Sequence, residues 1–164
     1  MKKVLSFVLM AVIYMQVHAT LDQQNVFDSF NAKSRVLKSI DAVTDKLLPT
    51  EAECLAVEDI IGEIPSILKQ FYLNCGNHVL HGYEMGFVYK GADSSLVKLH
   101  EIAKEDDWSI PLTYFPFCRD QDSMYCLDKK NGKVVIFDRF EKQIDEDPKY
   151  QWDSFLSWLN STLG

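Results

Sequence analysis

Long apolar runs are missing from this chain, and basic residues are outnumbered. No stretch approaches the ~20 consecutive apolar residues that a membrane-spanning helix requires. Lys and Arg number 17 against 24 Asp and Glu, giving a formal net charge of −7. Nucleic-acid phosphates repel such a chain, so nucleic acid is not an expected partner. The charge suits plain solubility or a basic protein partner. With 4 cysteines in 164 residues, a disulfide-dependent scaffold is not expected either. Internal repeats and low-complexity segments are absent as well. What remains is an ordinary globular balance, 47% hydrophobic and 25% charged, enough for one domain with one core.

Residues 1–19 read differently from the rest. Lys2 and Lys3 precede an almost wholly apolar stretch from Val4 to Tyr14, and Val17-His18-Ala19 offers compact residues where a signal peptidase cuts. This is the secretory signal pattern. It implies a periplasmic or secreted protein, with no membrane association after the signal is removed. The alternative is a first helix packed in the core, or a misassigned start, and a cytoplasmic protein.

The compartment decides how Cys54, Cys75, Cys118 and Cys126 behave. Outside the cytoplasm they allow three pairings into two disulfides. With a four-residue turn at 119–122, Cys118 falls opposite Ser123 and Cys126 opposite Phe115, so these two would not face each other. Cys54 and Cys75, on neighbouring helices, make the better pair. In the cytosol all four are small buried apolar residues.

The clearest structure lies between Ile110 and Phe140. Two apolar runs, Leu112–Cys118 and Ser123–Asp128, are followed by a third, Lys133–Asp138. β-Branched and aromatic residues dominate them, as strands require. Arg119-Asp120-Gln121-Asp122 makes the first turn. Asn131-Gly132 suits a tight primed hairpin turn for the second. The expectation is an antiparallel three-stranded meander. Between Tyr83 and Tyr89, alternating residues among glycines suggest a short edge strand.

Helices surround this centre. Residues 20–48 read as an amphipathic N-terminal helix in which Val26, Phe30, Val36, Leu37, Ile40, Val43 and Leu47 share a face, ended by Pro49. Thr50 and Glu53 form a capping box for a helix with Ala52, Leu55, Ala56 and Ile60 on one face and Gly62 at its end. Pro65 opens the next, which Gly76 closes. Ser94 or Ser95 caps a third, running into Glu105-Asp106-Asp107 and a solvated loop. Trp152, Phe155, Leu156, Leu159 and Leu163 mark a terminal amphipathic helix.

Few constellations carry chemistry. Cys75, His78 and His81, with His100, echo metal-ligand spacing, but no second Cys or His pair follows at a zinc-site interval. The bland reading, polar residues on a loop, is favoured, and no metal or cofactor is expected. Cys118 or Cys126 with a distant His is formally a nucleophilic site, although both sit in apolar strands. The rival from another class is a small exported hydrolase with a Cys/His or acid site in the 75–100 region, Cys75 and His81 being its candidates. The acids Glu105, Asp106, Asp107, Asp120 and Asp122 flank the first strand of the meander. Together they form a negative rim around its aromatics, unless they are only a solvated face.

In order along residues 49–164, these pieces resemble the SUKH superfamily, the Smi/Knr-like immunity and cell-wall-regulator proteins. Glu58-Asp59-Ile60-Ile61-Gly62 through Pro65, Leu68-Lys69 and Phe71-Tyr72 to Gly76 is similar to the family's helix pair. Phe115-Pro116-Phe117, Tyr125–Asp128 and Gly132–Asp138 resemble its strands, and Trp152–Leu159 its closing helix. Arg119–Ser123 departs from the glycines that members often carry before the second strand. The resemblance implies an α+β domain, a twisted antiparallel β-sheet flanked by helices, that binds another protein without catalysis. Immunity members bind toxin domains, many of them basic nucleases, and the five rim acids would then be the partner-binding residues. An export signal departs from cytosolic immunity proteins and implies an exported member.

Overall fold

A computed structural model describes residues 20–31, 48–76, 83–88 and 95–162. They fall into an N-terminal unit and a second unit, Val43–Thr162. In the first, residues 20–31 form helix α1, which withdraws Phe27 and Phe30 from solvent and pairs Gln24 with Asp28 one turn on (3.0 Å). The rest of the expected helix, residues 32–47, and the signal-like residues 1–19 lie outside the described residues.

The second unit is α+β. Its antiparallel sheet runs β1 (Glu84–Met85), β2 (Tyr114–Arg119), β3 (Ser123–Asp128), β4 (Val134–Asp138) and β5 (Gln143–Ile144), in that spatial order. Helices α2 (Glu51–Ile61), α3 (Ser66–Cys75), α4 (Leu96–Ile102) and α5 (Phe155–Thr162) complete it. The central three strands are the expected meander.

Both faces of the meander are buried, which is why its runs are continuously apolar and do not alternate. On one face Met124, Cys126, Val135 and Phe137 pack against Leu99 and Ala103, and against Trp108 and Ile110 from the segment after α4. On the other, Phe117 meets Phe155 and Trp158 of α5 at 5.4 and 4.9 Å between ring centroids, and Tyr125 meets Trp158 at 5.9 Å. The two Phe117 pairs are edge-to-face, a geometry that adds to what their burial contributes. Phe71 joins α3 to the same cluster, 5.3 Å from Phe155.

Several local expectations need correction. Strand β2 continues through Arg119, and a bulge between Pro116 and Cys118 shifts its pairing. Cys118 therefore faces Tyr125 and Cys126 faces Pro116. The Asn131-Gly132 turn is longer than a two-residue hairpin: Asp128 pairs with Lys133 through its amide (2.8 Å), and of the two turn residues only Gly132 takes positive φ, at 76°. Asp128 and Asn131 cap it by accepting from Lys130 N and Lys133 N (2.8 and 2.9 Å). All four cysteines are buried thiols; the Cys54–Cys75 bridge, the better pair were the chain exported, is not formed, and the burial is that of the cytosolic alternative.

Helix α2 starts at the expected capping box, with Thr50 N donating to Glu53 (2.7 Å) and Glu53 N to Thr50 Oγ1 (3.2 Å). Its rotation differs from expectation. Cys54 and Val57 are buried, while Ala52, Leu55, Ala56 and Ile60 face out. The cause is Glu58, which is drawn inward: Ile64 N and Lys69 Nζ donate to its carboxylate at 3.1 and 3.0 Å. Ser95 caps α4, accepting from Lys98 N (3.1 Å). Trp152 is not part of the terminal helix. It exchanges backbone bonds with Val134 (2.9 and 3.0 Å), and the fully buried tryptophan of α5 is Trp158. Strand β5 and a 3-10 turn at Pro148–Tyr150 lie in the charged segment between β4 and α5.

Candidate functional site

An up-and-down meander puts alternate turns at the same end. The β2–β3 turn (Asp120–Asp122) and the β4–β5 turn (Arg139–Lys142) thus lie side by side, tied where Arg139 N donates to Asp122 O (2.9 Å). The segment after α4 is brought to the same end. Its Asp107 accepts from Arg139 Nη2 at 2.9 Å, and its Asp106 carbonyl accepts from Lys142 Nζ at 2.8 Å. The Arg139 guanidinium also lies over the Trp108 ring, 6.0 Å from its centroid. Three chain segments distant in sequence are thereby fastened together around one arginine.

The five rim acids separate into two groups. Asp120 holds the β2–β3 turn in shape. Its Oδ1 accepts from Asp122 N (3.1 Å) and Ser123 N (2.8 Å), and its Oδ2 from Tyr125 OH (3.3 Å). Asp107 is likewise engaged, since the hydrogen bond from Arg139 holds its carboxyl below the usual range and holds the guanidinium charged. Glu105, Asp106 and Asp122 are exposed, with Glu105 and Asp122 close enough to reinforce the Arg139 charge. The acids do not ring the aromatics of β2, because Phe115 and Phe117 are fully buried. The aromatic beside them is Phe140 in the β4–β5 turn, 76% exposed.

Sequence reasoning missed Arg139, Phe140 and Lys142. The signal was there: one aromatic inside the charged run Asp138-Arg139-Phe140-Glu141-Lys142, directly after a strand. Such a residue belongs to neither the core pattern nor a solvated turn.

The nucleophile and metal candidates are placed elsewhere. Cys126 is buried on the α4 face, and burial pushes its thiol well above the ordinary range, against forming a thiolate. Burial raises Cys54 too. His100, 8% exposed, packs edge-on to Phe115 at 4.5 Å, and one ring nitrogen bonds the Pro116 carbonyl while Nε2 has no partner among the described residues. Burial, then the charges of Lys129 and Lys104, bring its pKa down to about 4. Cys75 is buried at the end of α3, while His78 and His81 lie outside the described residues. Among the described residues no three His, Cys, Asp or Glu side chains gather as a metal site.

This arrangement has known relatives. The family model described as "SUKH_5: SMI1-KNR4 cell-wall" matches residues 24–164. Among solved structures, the chain is similar to a protein from Pseudomonas syringae pv. tomato known from its crystal structure. The two share 24% identity with a TM-score of 0.60, over 72% of this chain and 85% of that one, a likeness of fold. A comparison with curated proteins finds no match.

Proposed function

The chain belongs to the SMI1-KNR4 family of the SUKH superfamily, and from that premise we propose that it is a non-catalytic protein-binding module. Its work, in this reading, is immunity-type: it neutralises a basic toxin domain by covering it. The observation that carries the reading is the end of the sheet described above, where Glu105, Asp106 and Asp122 stand exposed beside the junction of three fastened segments. Carboxylates facing solvent raise the encounter rate with a basic partner and favour its orientation. The rival hydrolase is poorly served, because its cysteine, Cys75, is buried at the end of α3; its His81 lies outside the described residues.

The proposal needs no cofactor and no nucleic acid. In this reading the export pattern of residues 1–19 puts the encounter in the periplasm or the exterior, the alternative being the cytoplasm. N-terminal sequencing of the protein from its own cells would read a start near residue 20 if that is so, and Met1 if it stays cytoplasmic. For the function itself, the test is whether a basic nuclease domain is encoded beside its gene, and co-expression with that domain. Growth should be rescued by this chain, and rescue should weaken when Glu105, Asp106 and Asp122 are changed to Gln, Asn and Asn. Unrelieved toxicity from that nuclease would count against the immunity reading.

A further inference from the structure

Phe140 is the feature that neither the fold nor the ion pairing explains. It is 76% exposed, where an aromatic side chain contributes little to folding. The turn presenting it is nevertheless firmly built. Asp138 Oδ1 accepts from both Phe140 N (2.8 Å) and Glu141 N (2.9 Å). On one side Arg139 is clamped by Asp107, and on the other Lys142, at φ 54°, reaches the Asp106 carbonyl. A large aromatic is thus held out in solvent on a backbone whose position is already fixed.

We propose that Phe140 is the anchor by which this end of the sheet docks, seated in an apolar socket rimmed by lysine or arginine on a basic partner protein. The inference rests on the protein-binding reading above and adds the residue and the partner's surface to it. A preorganised aromatic loses little entropy on docking, and such residues carry a disproportionate share of interface energy. Charge selects the occupant. Glu105, Asp106, Asp122 and Glu141 are exposed at this end and outnumber the exposed Arg139 and Lys142 of Phe140's own turn, so the same end of a second copy would be repelled while a basic rim is attracted. The other most exposed large hydrophobic, Leu112 at 79%, lies at the opposite end of the sheet, where Lys129 N donates to Thr113 O (3.0 Å). It therefore provides an internal control.

The test replaces Phe140 with a photo-crosslinking benzoylphenylalanine in the full chain, expressed in its own cells, with Leu112 replaced in the same way as the control. The expected result is one adduct, from position 140 only, mapped on the partner to an apolar site flanked by Lys or Arg. With that purified partner, Phe140→Ala should weaken binding about tenfold or more, through faster dissociation, and leave the salt dependence unchanged. Neutralising Asp106 and Asp122 to Asn should instead slow association and flatten the salt dependence. The anchor is refuted by no adduct at 140, by the same adduct from 112, by an adduct to a second copy of this chain, or by an affinity that Phe140→Ala leaves alone. If the Asn variants act and Phe140→Ala does not, the anchor fails and the binding reading stands. If neither position yields a partner, both fail.

Discussion

His100 should make this fold sensitive to mild acid, by an amount the structure sets. The ring is neutral in the folded state because protonation would place a charge in a buried position beside Phe115, near Lys129 and Lys104. Its folded pKa is about 4, against 6.5 for an ordinary histidine. Above the higher value the ring is neutral whether folded or unfolded, and pH has no leverage through it. As pH falls below it, the unfolded chain takes up a proton that the folded chain refuses, and stability is lost progressively until the folded pKa is reached. Each pKa unit corresponds to about 1.4 kcal/mol, so the full loss is roughly 3 kcal/mol, of which about 2.5 kcal/mol is reached near pH 4.5. That is a large share of the stability of a typical domain.

The assay is urea unfolding at about pH 7 and about pH 4.5, on the wild type and on His100→Asn, whose amide can still donate to the Pro116 carbonyl. Carboxylates titrate in the same window, but both proteins carry the same ones. The wild type should lose about 2.5 kcal/mol more than the variant between the two conditions. An NMR titration should place one imidazole near pH 4, as its burial requires. Parallel losses in the two proteins, or a His100 pKa near the ordinary value, would refute the reasoning.

Other outcomes follow from packing. Trp158→Ala empties the centre of the α5 face and should cost about 3–5 kcal/mol, whereas half-buried Leu156→Ala should cost clearly less; thermal melts compare them. Gly86→Ala would put a Cβ 2.6 Å from Leu96 Cδ2 and 3.1 Å from its Cα, so it should destabilise by about 1–3 kcal/mol in denaturant unfolding. All four thiols should resist a thiol-specific reagent in the native protein and react together on unfolding, since each is buried. Rapid native labelling of Cys126 would contradict the burial that argues against a cysteine hydrolase.

The parts of the fold legible in sequence were those with a local cause. The Thr50–Glu53 capping box, the positive-φ stops at Gly62 and Gly76, and the three strand runs are each determined by their own residues. What escaped depended on distant partners. The rotation of α2 is set by Lys69 and Ile64 acting on Glu58, and the register of β2 by a bulge that no spacing announces. Trp152 left the terminal helix because the Val134 backbone claimed it. The acidic end shows the same division. Sequence supplied the acids, but Asp120 as a turn cap, Asp107 as the arginine's partner and Phe140 between them appear only once the three segments meet.

The central claim is that the chain works by presenting one end of a doubly covered sheet to a basic protein. Calorimetric titration of the purified chain with a basic nuclease domain found beside its gene, at low and at physiological salt, tests it most directly. The expected result is a one-to-one complex that silences the nuclease, weakens with salt and weakens again when Glu105, Asp106 and Asp122 are neutralised. A nuclease that shows no heat of binding and keeps full activity in the presence of excess chain would contradict the claim.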